Sequence, residues 1–231
     1  MTLLLVRHGQ ASFGSDDYDR LSATGHEQAR HLGAWLHSHG RRPVRVIGGG
    51  MRRHRETWAA IAEAWADDGG DPLPEPEHDP ALAEFDHHAV ITGYLAENPG
   101  HPTGRMLAAG QRPQPREVLE LLVAAITRWS QGGGIGDGES WSDFRQRATS
   151  ALERVDAEAG DGEVWVVSSG GVISQLVRHA LQAPDETAVR LNLALRNCAL
   201  SELRAHHGRW HLHSWNEVPH LAQHPGLWTY Y

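Results

Sequence analysis

Arg7, His8 and Gly9 stand directly behind the apolar run Leu3-Leu4-Leu5-Val6. A run of that length reads as a buried strand. The residues that follow lie at its carboxyl end, where open α/β sheets bind ligands. A cation, an imidazole and a permissive backbone together suit a phosphoryl group. Two other junctions carry groups of the same kind. Gly48-Gly49-Gly50 ends the short strand Val44-Arg45-Val46-Ile47, and Arg52, Arg53 and Arg55 follow in the first turn of a predicted helix. A helix dipole prefers anions at that end, so arginines there make sense around a bound anion. Ser168-Ser169-Gly170-Gly171 follows the apolar segment Glu163–Val167. Backbone N–H groups at a Gly-rich helix start form an anion site.

The elements between these junctions must place them together. Thr24-Gly25-His26-Glu27 fits a capping box, and Ala29, Leu32 and Leu36 follow at helical spacing up to Gly40. Two strand-then-helix units in the first 66 residues signal a mostly parallel sheet with crossover helices. Parallel strands put all three junctions on one edge. From Asp67 to Arg116 the chain reads as irregular, with scattered Pro, Gly and His, and residues 85–115 as an inserted lid over that edge. Val118, Leu121, Leu122, Ala125, Ile126 and Trp129 form a helical stripe, and Ser140 with Asp143 opens a further helix. Val172, Ile173, Leu176, Val177 and Leu181 mark the helix after Ser169. Cys198–Arg204 and Trp210–Trp215 read as a hairpin turning at His207-Gly208. The expected fold is α/β: a three-layer sandwich with a mostly parallel central sheet, helices on both faces and the lid over the C-terminal strand ends. One domain, 1–231, is the economical division.

Composition narrows the function. The chain has 231 residues, 40% of them hydrophobic, and a formal net charge of −8, which argues against nucleic-acid binding as its main task. A small anion needs only a local basic pocket, and the Lys and Arg positions are all Arg, which suits bidentate phosphate contacts. A single cysteine, Cys198, permits no intrachain disulfide. The N-terminal apolar stretch lacks a basic lead and is short, and no run approaches a membrane span. A cytoplasmic protein without membrane partners is expected. The 17 histidines read mainly as a surface bias. His211 and His213, near His206 and His207, have metal-compatible spacing but no acidic or Cys partner nearby, so no metal site is expected. Nine tryptophans exceed what one core needs, which leaves a homodimer open.

The ordered motifs resemble the histidine phosphatase superfamily, the phosphoglycerate mutase-like proteins. Arg7-His8-Gly9 is similar to its RHG signature, and Leu21-Ser22-Ala23-Thr24-Gly25-His26-Glu27-Gln28-Ala29 to its L-[ST]-x-x-G-x-x-Q-A element. Met51-Arg52-Arg53-His54-Arg55-Glu56-Thr57 resembles [SP]-L-x-R-A-x-x-T, Leu82-Ala83-Glu84 resembles L-x-E, and Val166–Ile173 resembles V-V-x-H-G-G-x-I. RHG alone is a weak triplet; the ordered set is specific and covers nearly the whole chain. The resemblance implies a small phosphorylated substrate, no cofactor, and a phosphohistidine on His8. It implies that Arg7 and Arg53, rather than Arg52, clamp the phosphoryl oxygens. Glu84 would protonate the leaving oxygen and then activate water. Gly9 and Gly170 would let the backbone approach the anion, with Ser169 as a further phosphate ligand.

One position departs from the pattern. Ser169 stands where the family carries its second catalytic histidine. A branch with Ser-Gly-Gly here often carries a C-terminal N-x-x-x-H-L, matched by Asn216-Glu217-Val218-Pro219-His220-Leu221. His220 is therefore a candidate substitute for the missing imidazole. Losing a strong oxyanion donor typically costs ~10²–10³ in turnover. Three readings follow: a phosphomonoester hydrolase first, then a phospholigand- or partner-binding module on an impaired site, then a mutase. Family mutases carry Arg, His and Tyr close behind the acid, whereas Glu84 precedes Phe85-Asp86-His87-His88. His87 and His88 are expected to be a solvated pair.

Overall fold

The computed structural model describes residues 1–12, 19–158 and 162–230. Among them, six strands form one mixed sheet in the order β3-β2-β4-β1-β5-β6. Strands β1 (Thr2–Arg7), β2 (Arg45–Gly48), β3 (Glu77–His78) and β4 (Glu163–Ser168) are mutually parallel. Strands β5 (Leu200–His206) and β6 (Arg209–Glu217) close the other edge as an antiparallel hairpin. Its turn residues His207 and Gly208 have φ of 49° and 69°, the left-handed pair that a type I′ hairpin requires. Strand β5 begins two residues later than the sequence suggests, because Cys198 has φ of 53° and cannot continue a strand.

The sheet explains why β1 and β4 are apolar throughout. Side chains alternate between faces, and both faces are covered. Leu4, Val6, Val46, Trp165 and Val167 pack against α1 (Ala23–Ser38) and α2 (Arg52–Asp67). Leu3, Leu5, Ile47, Val164 and Val166 pack on the opposite side, against α5 (Pro115–Ser130), α6 (Trp141–Glu158) and α7 (Gly170–Ala180). Trp58, Trp65, Trp129, Trp141, Trp165 and Trp210 are buried in these two layers. Most of the tryptophan surplus is thus spent inside the fold.

Three local expectations change. The N-cap of α1 is Ser22, whose Oγ accepts the Gly25 N–H at 3.1 Å, rather than Thr24. The stretch read as irregular contains α3 (His87–Glu97) and α4 (Pro102–Ala108), besides a 3-10 turn at Pro80–Leu82. They bury only Val90 and Thr103 respectively, so neither leaves an apolar stripe in the sequence. Helix α8 (Asp185–Ala194) likewise buries only Ala188 and Val189 and gave no signal.

The tail packs on α1 through a 3-10 turn at Pro219–Leu221. Gln28, the glutamine of the α1 motif, accepts from the Gln10 backbone at 2.9 Å and donates to Leu227 O at 2.6 Å and Thr229 Oγ1 at 2.8 Å. It ties the loop after β1 to the C-terminal tail. His220 is buried there with neither ring nitrogen hydrogen-bonded. Burial, with the charge of His31 adding to it, pushes its pKa down to about 3.

Two measurements check this packing. Helices α1 and α2 meet at Gly33, where a Cβ would lie 2.3 Å from the Ile61 carbonyl oxygen. Ala favours a helix over Gly by about 1 kcal/mol, but a backbone clash of this kind costs about 1–3 kcal/mol. Gly33→Ala is expected to lower the denaturation midpoint, not raise it. An unfolded His220 titrates near about 6.5, so below that pH the unfolded state binds the extra proton and stability falls. Between pH 7 and pH 5 the wild type should lose about 2 kcal/mol more than His220→Leu in denaturant titrations.

Candidate active site

The parallel register brings the carboxyl ends of β1, β2, β3 and β4 to one edge, with Arg7 opposite Ser168 and Gly48 opposite both Val167 and His78. His8 leaves β1 there and is 5% exposed. Its backbone is held on both sides. Its N–H donates to Ser168 O at 2.9 Å, and its carbonyl accepts from Cys198 N at 3.2 Å and Asn197 Nδ2 at 3.4 Å. Its Nδ1 lies 2.7 Å from Gly9 O. A carbonyl only accepts, so Nδ1 carries the proton of the neutral ring and Nε2 keeps its lone pair. Burial, and then the charges of Arg53, Arg7 and His54, hold the His8 pKa well below the ordinary imidazole value.

Arg7 and Arg53 are both buried beside it. Arg7 donates to the Leu195 carbonyl. That carbonyl is set by the tail element. Asn216 donates to Ala194 O at 2.7 Å and accepts from Arg196 N at 2.8 Å. The asparagine of the C-terminal motif therefore fixes the loop that holds Arg7. Arg53, 2% exposed at the start of α2, donates to Asp19 Oδ1 at 2.7 Å and Ser169 Oγ at 3.2 Å. Arg52 and Arg55 are exposed, Arg52 pairing with Glu56 and Arg55 with Gly50 O. Asp19 also accepts from Arg52 N at 2.8 Å and so caps α2.

Glu84 follows β3 and the Pro80–Leu82 turn to the same edge. Its carboxylate accepts the Gly171 N–H at 2.9 Å, at the α7 N-terminus, and its own neighbour's Phe85 N–H at 3.1 Å. The segment before it is pinned by Arg147, which donates to Ala81 O at 2.9 Å and Ala83 O at 2.6 Å. Ser168 Oγ adds a bond to Leu82 O at 2.7 Å, so Ser168 is structural. Gly171 is glycine because a Cβ would meet Glu84 Oε1 at 2.3 Å.

Several expected roles come out differently. Gly9 does not offer its N–H to an anion: it donates to Thr57 Oγ1 at 3.0 Å, and its lack of a side chain serves the contact with Gly25 O, 2.4 Å from an ideal Cβ. Gly170, whose expected role is not altered, has Asn192 Oδ1 2.4 Å and Arg7 Nε 3.6 Å from an ideal Cβ. His220 does not take the place of the missing histidine. It packs on α1 beside His31, and Ser169 Oγ is bonded by Arg53 and by His54, whose Nε2 lies 2.7 Å away. His54 is the functional candidate that sequence reasoning missed. The signal was present, since His54 fills the alanine position of the R-A-x-x-T element while Ser169 fills the histidine position of H-G-G. His87 is no solvated residue either. It is half-buried against Phe85, ring centroids 5.5 Å apart. Burial lowers its pKa, the Glu84 carboxylate pulls it up and Arg53 pushes it down. His88 remains exposed. Among the described residues, no group of three or more His, Cys, Asp or Glu side chains is arranged to hold a metal ion, and no helix is long and apolar enough to cross a membrane.

This edge can bind an oxyanion between two guanidinium groups and present to it a neutral imidazole nitrogen, with a carboxylate nearby. Known proteins share the framework. The chain is 27% identical over 233 residues to the "Probable phosphoglycerate mutase GpmB" of Serratia proteamaculans, covering 96% of this chain and 95% of that one. It is 24% identical over 227 residues to the metal-independent phosphoserine phosphatase of Arabidopsis thaliana, covering 95% and 83%. In fold it is similar to the alpha-ribazole phosphatase of Shigella flexneri, with a TM-score of 0.66, 20% identity, and 94% and 97% of the two chains covered. It is similar also to mycobacterial glucosyl-3-phosphoglycerate phosphatase, with a TM-score of 0.62, 22% identity, and 94% and 99% covered. The model of the histidine phosphatase superfamily (branch 1) matches residues 3–98 and 103–218. With its sheet, its motifs and this match over nearly the full length in agreement, the chain belongs to the histidine phosphatase superfamily.

Proposed function

We propose that the protein is a phosphomonoester hydrolase that passes the phosphoryl group through His8. One observation carries the reading: a buried imidazole, kept neutral between Arg7 and Arg53, has its Nδ1 proton committed to Gly9 O and its Nε2 lone pair left over. The Nε2 lone pair attacks phosphorus, and the bond from phosphorus to the leaving oxygen breaks. Arg7 and Arg53 spread the charge on the equatorial oxygens. The Glu84 carboxyl gives its proton to the leaving oxygen, releasing an alcohol. Glu84 then takes a proton from water, whose oxygen attacks the phosphohistidine and frees orthophosphate and His8. Gly171 N and the Arg147-pinned segment fix the position of Glu84, which supports giving it both roles.

Ser169 favours a second reading, a phospholigand-binding module, because it brings no charge to the position where the family carries histidine. The mutase reading has support in one relative's name. It predicts interconversion of 3- and 2-phosphoglycerate, which a hydrolase does not perform. The substrate of the hydrolase is a small phosphomonoester, selected by the α3–α4 segment that we propose lies over the strand ends as a lid.

Orthophosphate release from p-nitrophenyl phosphate tests the reading. His8→Ala should lose at least ~10³-fold in kcat, and Arg53→Ala ~10²–10³-fold. Wild-type release equal to that of His8→Ala, with tight ester binding, would select the binding module. The pH profile offers a second check. A depressed His8 pKa means that the ring is already neutral below pH 6.5. After correction for the ester's own second ionisation, kcat/KM should show no acid limb at the ordinary imidazole pKa of about 6.5.

A further inference from the structure

Ser169 Oγ sits where two nitrogens converge. Arg53 Nη2 is 3.2 Å away and His54 Nε2 is 2.7 Å away. The serine is fully buried and His54 is 1% exposed. The His54 and His8 rings lie 5.8 Å apart, centroid to centroid, so the pair borders the nucleophile. Arg53 can only donate, which fills one lone pair of the serine oxygen. The direction of the His54 bond decides what the hydroxyl does.

The other ring nitrogen settles that direction. His54 Nδ1 is buried with no hydrogen-bond partner and faces Gly49, where a Cβ would come within 2.8 Å of it. An orphaned N–H is rarer in buried sites than an under-satisfied acceptor. Burial first, and then Arg53, Arg55 and His78, hold the ring neutral, so it carries a single proton. That proton belongs on Nε2, donating to Ser169. Both serine lone pairs are then occupied, and the O–H must donate elsewhere. Two donors on one oxygen also make its own O–H a stronger donor.

We propose that His54 is a positioning residue that holds the Ser169 hydroxyl as a phosphoryl hydrogen-bond donor, so that a serine and a histidine from two elements replace one histidine at position 169. The inference rests on the phosphoryl site proposed above and deepens it. It assigns the lost imidazole to α2, not to the C-terminal tail. Ser169 and a neutral His54 add no charge, so Arg7 and Arg53 remain the cations of the site. No covalent step is added: His54 acts through Ser169 and does not touch the substrate.

The test is a double-mutant cycle read on two scales, inorganic phosphate affinity by calorimetry and kcat/KM on p-nitrophenyl phosphate. His54→Ala and Ser169→Ala should each weaken phosphate binding about ten-fold, the worth of one hydrogen bond to a charged group. The double variant should be no worse than either single one, because each removes the same bond. His54→Gln, whose amide N–H reaches to a similar place, should recover binding to within roughly three-fold of wild type. Multiplying losses in the double variant would overturn the proposal, as would a His54→Gln no better than His54→Ala. Ser169→Thr, which keeps the hydroxyl, repeats the cycle if an alanine variant fails to fold. Its loss on adding His54→Ala should match that in wild type, and no loss would contradict the assignment. Failure of the hydrolase reading looks different. A wild type with no turnover above His8→Ala but an intact phosphate cycle sinks the hydrolase and keeps the His54–Ser169 pair. Turnover with an additive cycle does the reverse, and a wild type that binds no phosphate removes both.

Discussion

Two buried guanidinium groups beside a buried imidazole set the terms for this molecule. Either cation next to His8 penalises a proton on the ring, and burial penalises it more. The imidazole therefore stays neutral, and a neutral ring bonded to a carbonyl has only one arrangement, with the proton on Nδ1. Everything else serves that placement. Parallel pairing of β1 with β4 and of β4 with β2 brings three strand ends to one edge. Cys198, Asn197 and Ser168 then fix the backbone of His8 from three directions. Uncompensated, the two cations would repel each other. Asp19 on Arg53 and the Leu195 carbonyl on Arg7 ease that repulsion.

Much of this was legible in the chain because it depends on local pattern. The runs at Leu3–Val6 and Val164–Val167 are apolar on both faces, as strands covered on both sides must be. Once the strands are known, residues directly behind them must share an edge. Arg53 could be told from Arg52 and Arg55 by spacing within its motif, and the structure buries Arg53 and exposes the other two. The histidine-phosphatase resemblance added Glu84, which no periodicity would have picked out from Asp86 two residues on. The structure sets the Glu84 carboxylate on the α7 N-terminus, whereas Asp86 caps α3.

What stayed hidden depends on contacts between distant segments. Helices α3, α4 and α8 each bury one or two side chains, too few to print a period on the sequence. Gly9 reads as a seat for an anion, but its N–H goes to Thr57 and its missing side chain makes room for Gly25 on α1. The tail motif looked like a carrier for His220. Its Asn216 instead bonds Ala194 O and Arg196 N, on either side of Leu195, whose carbonyl holds Arg7. His54 and Ser169 lie 115 residues apart and meet at 2.7 Å. Two departures from a family pattern, each unpromising alone, make sense only once they are seen to touch.

The account stands or falls on the lone pair at His8 Nε2. The direct measurement is ³¹P NMR of enzyme quenched in alkali during turnover of a phosphomonoester, with peptide mapping of the labelled residue. The account predicts one acid-labile phosphoramidate on Nε2 of His8, missing from His8→Ala. Phosphate on His8 Nδ1, on another residue, or on none while turnover proceeds would contradict it.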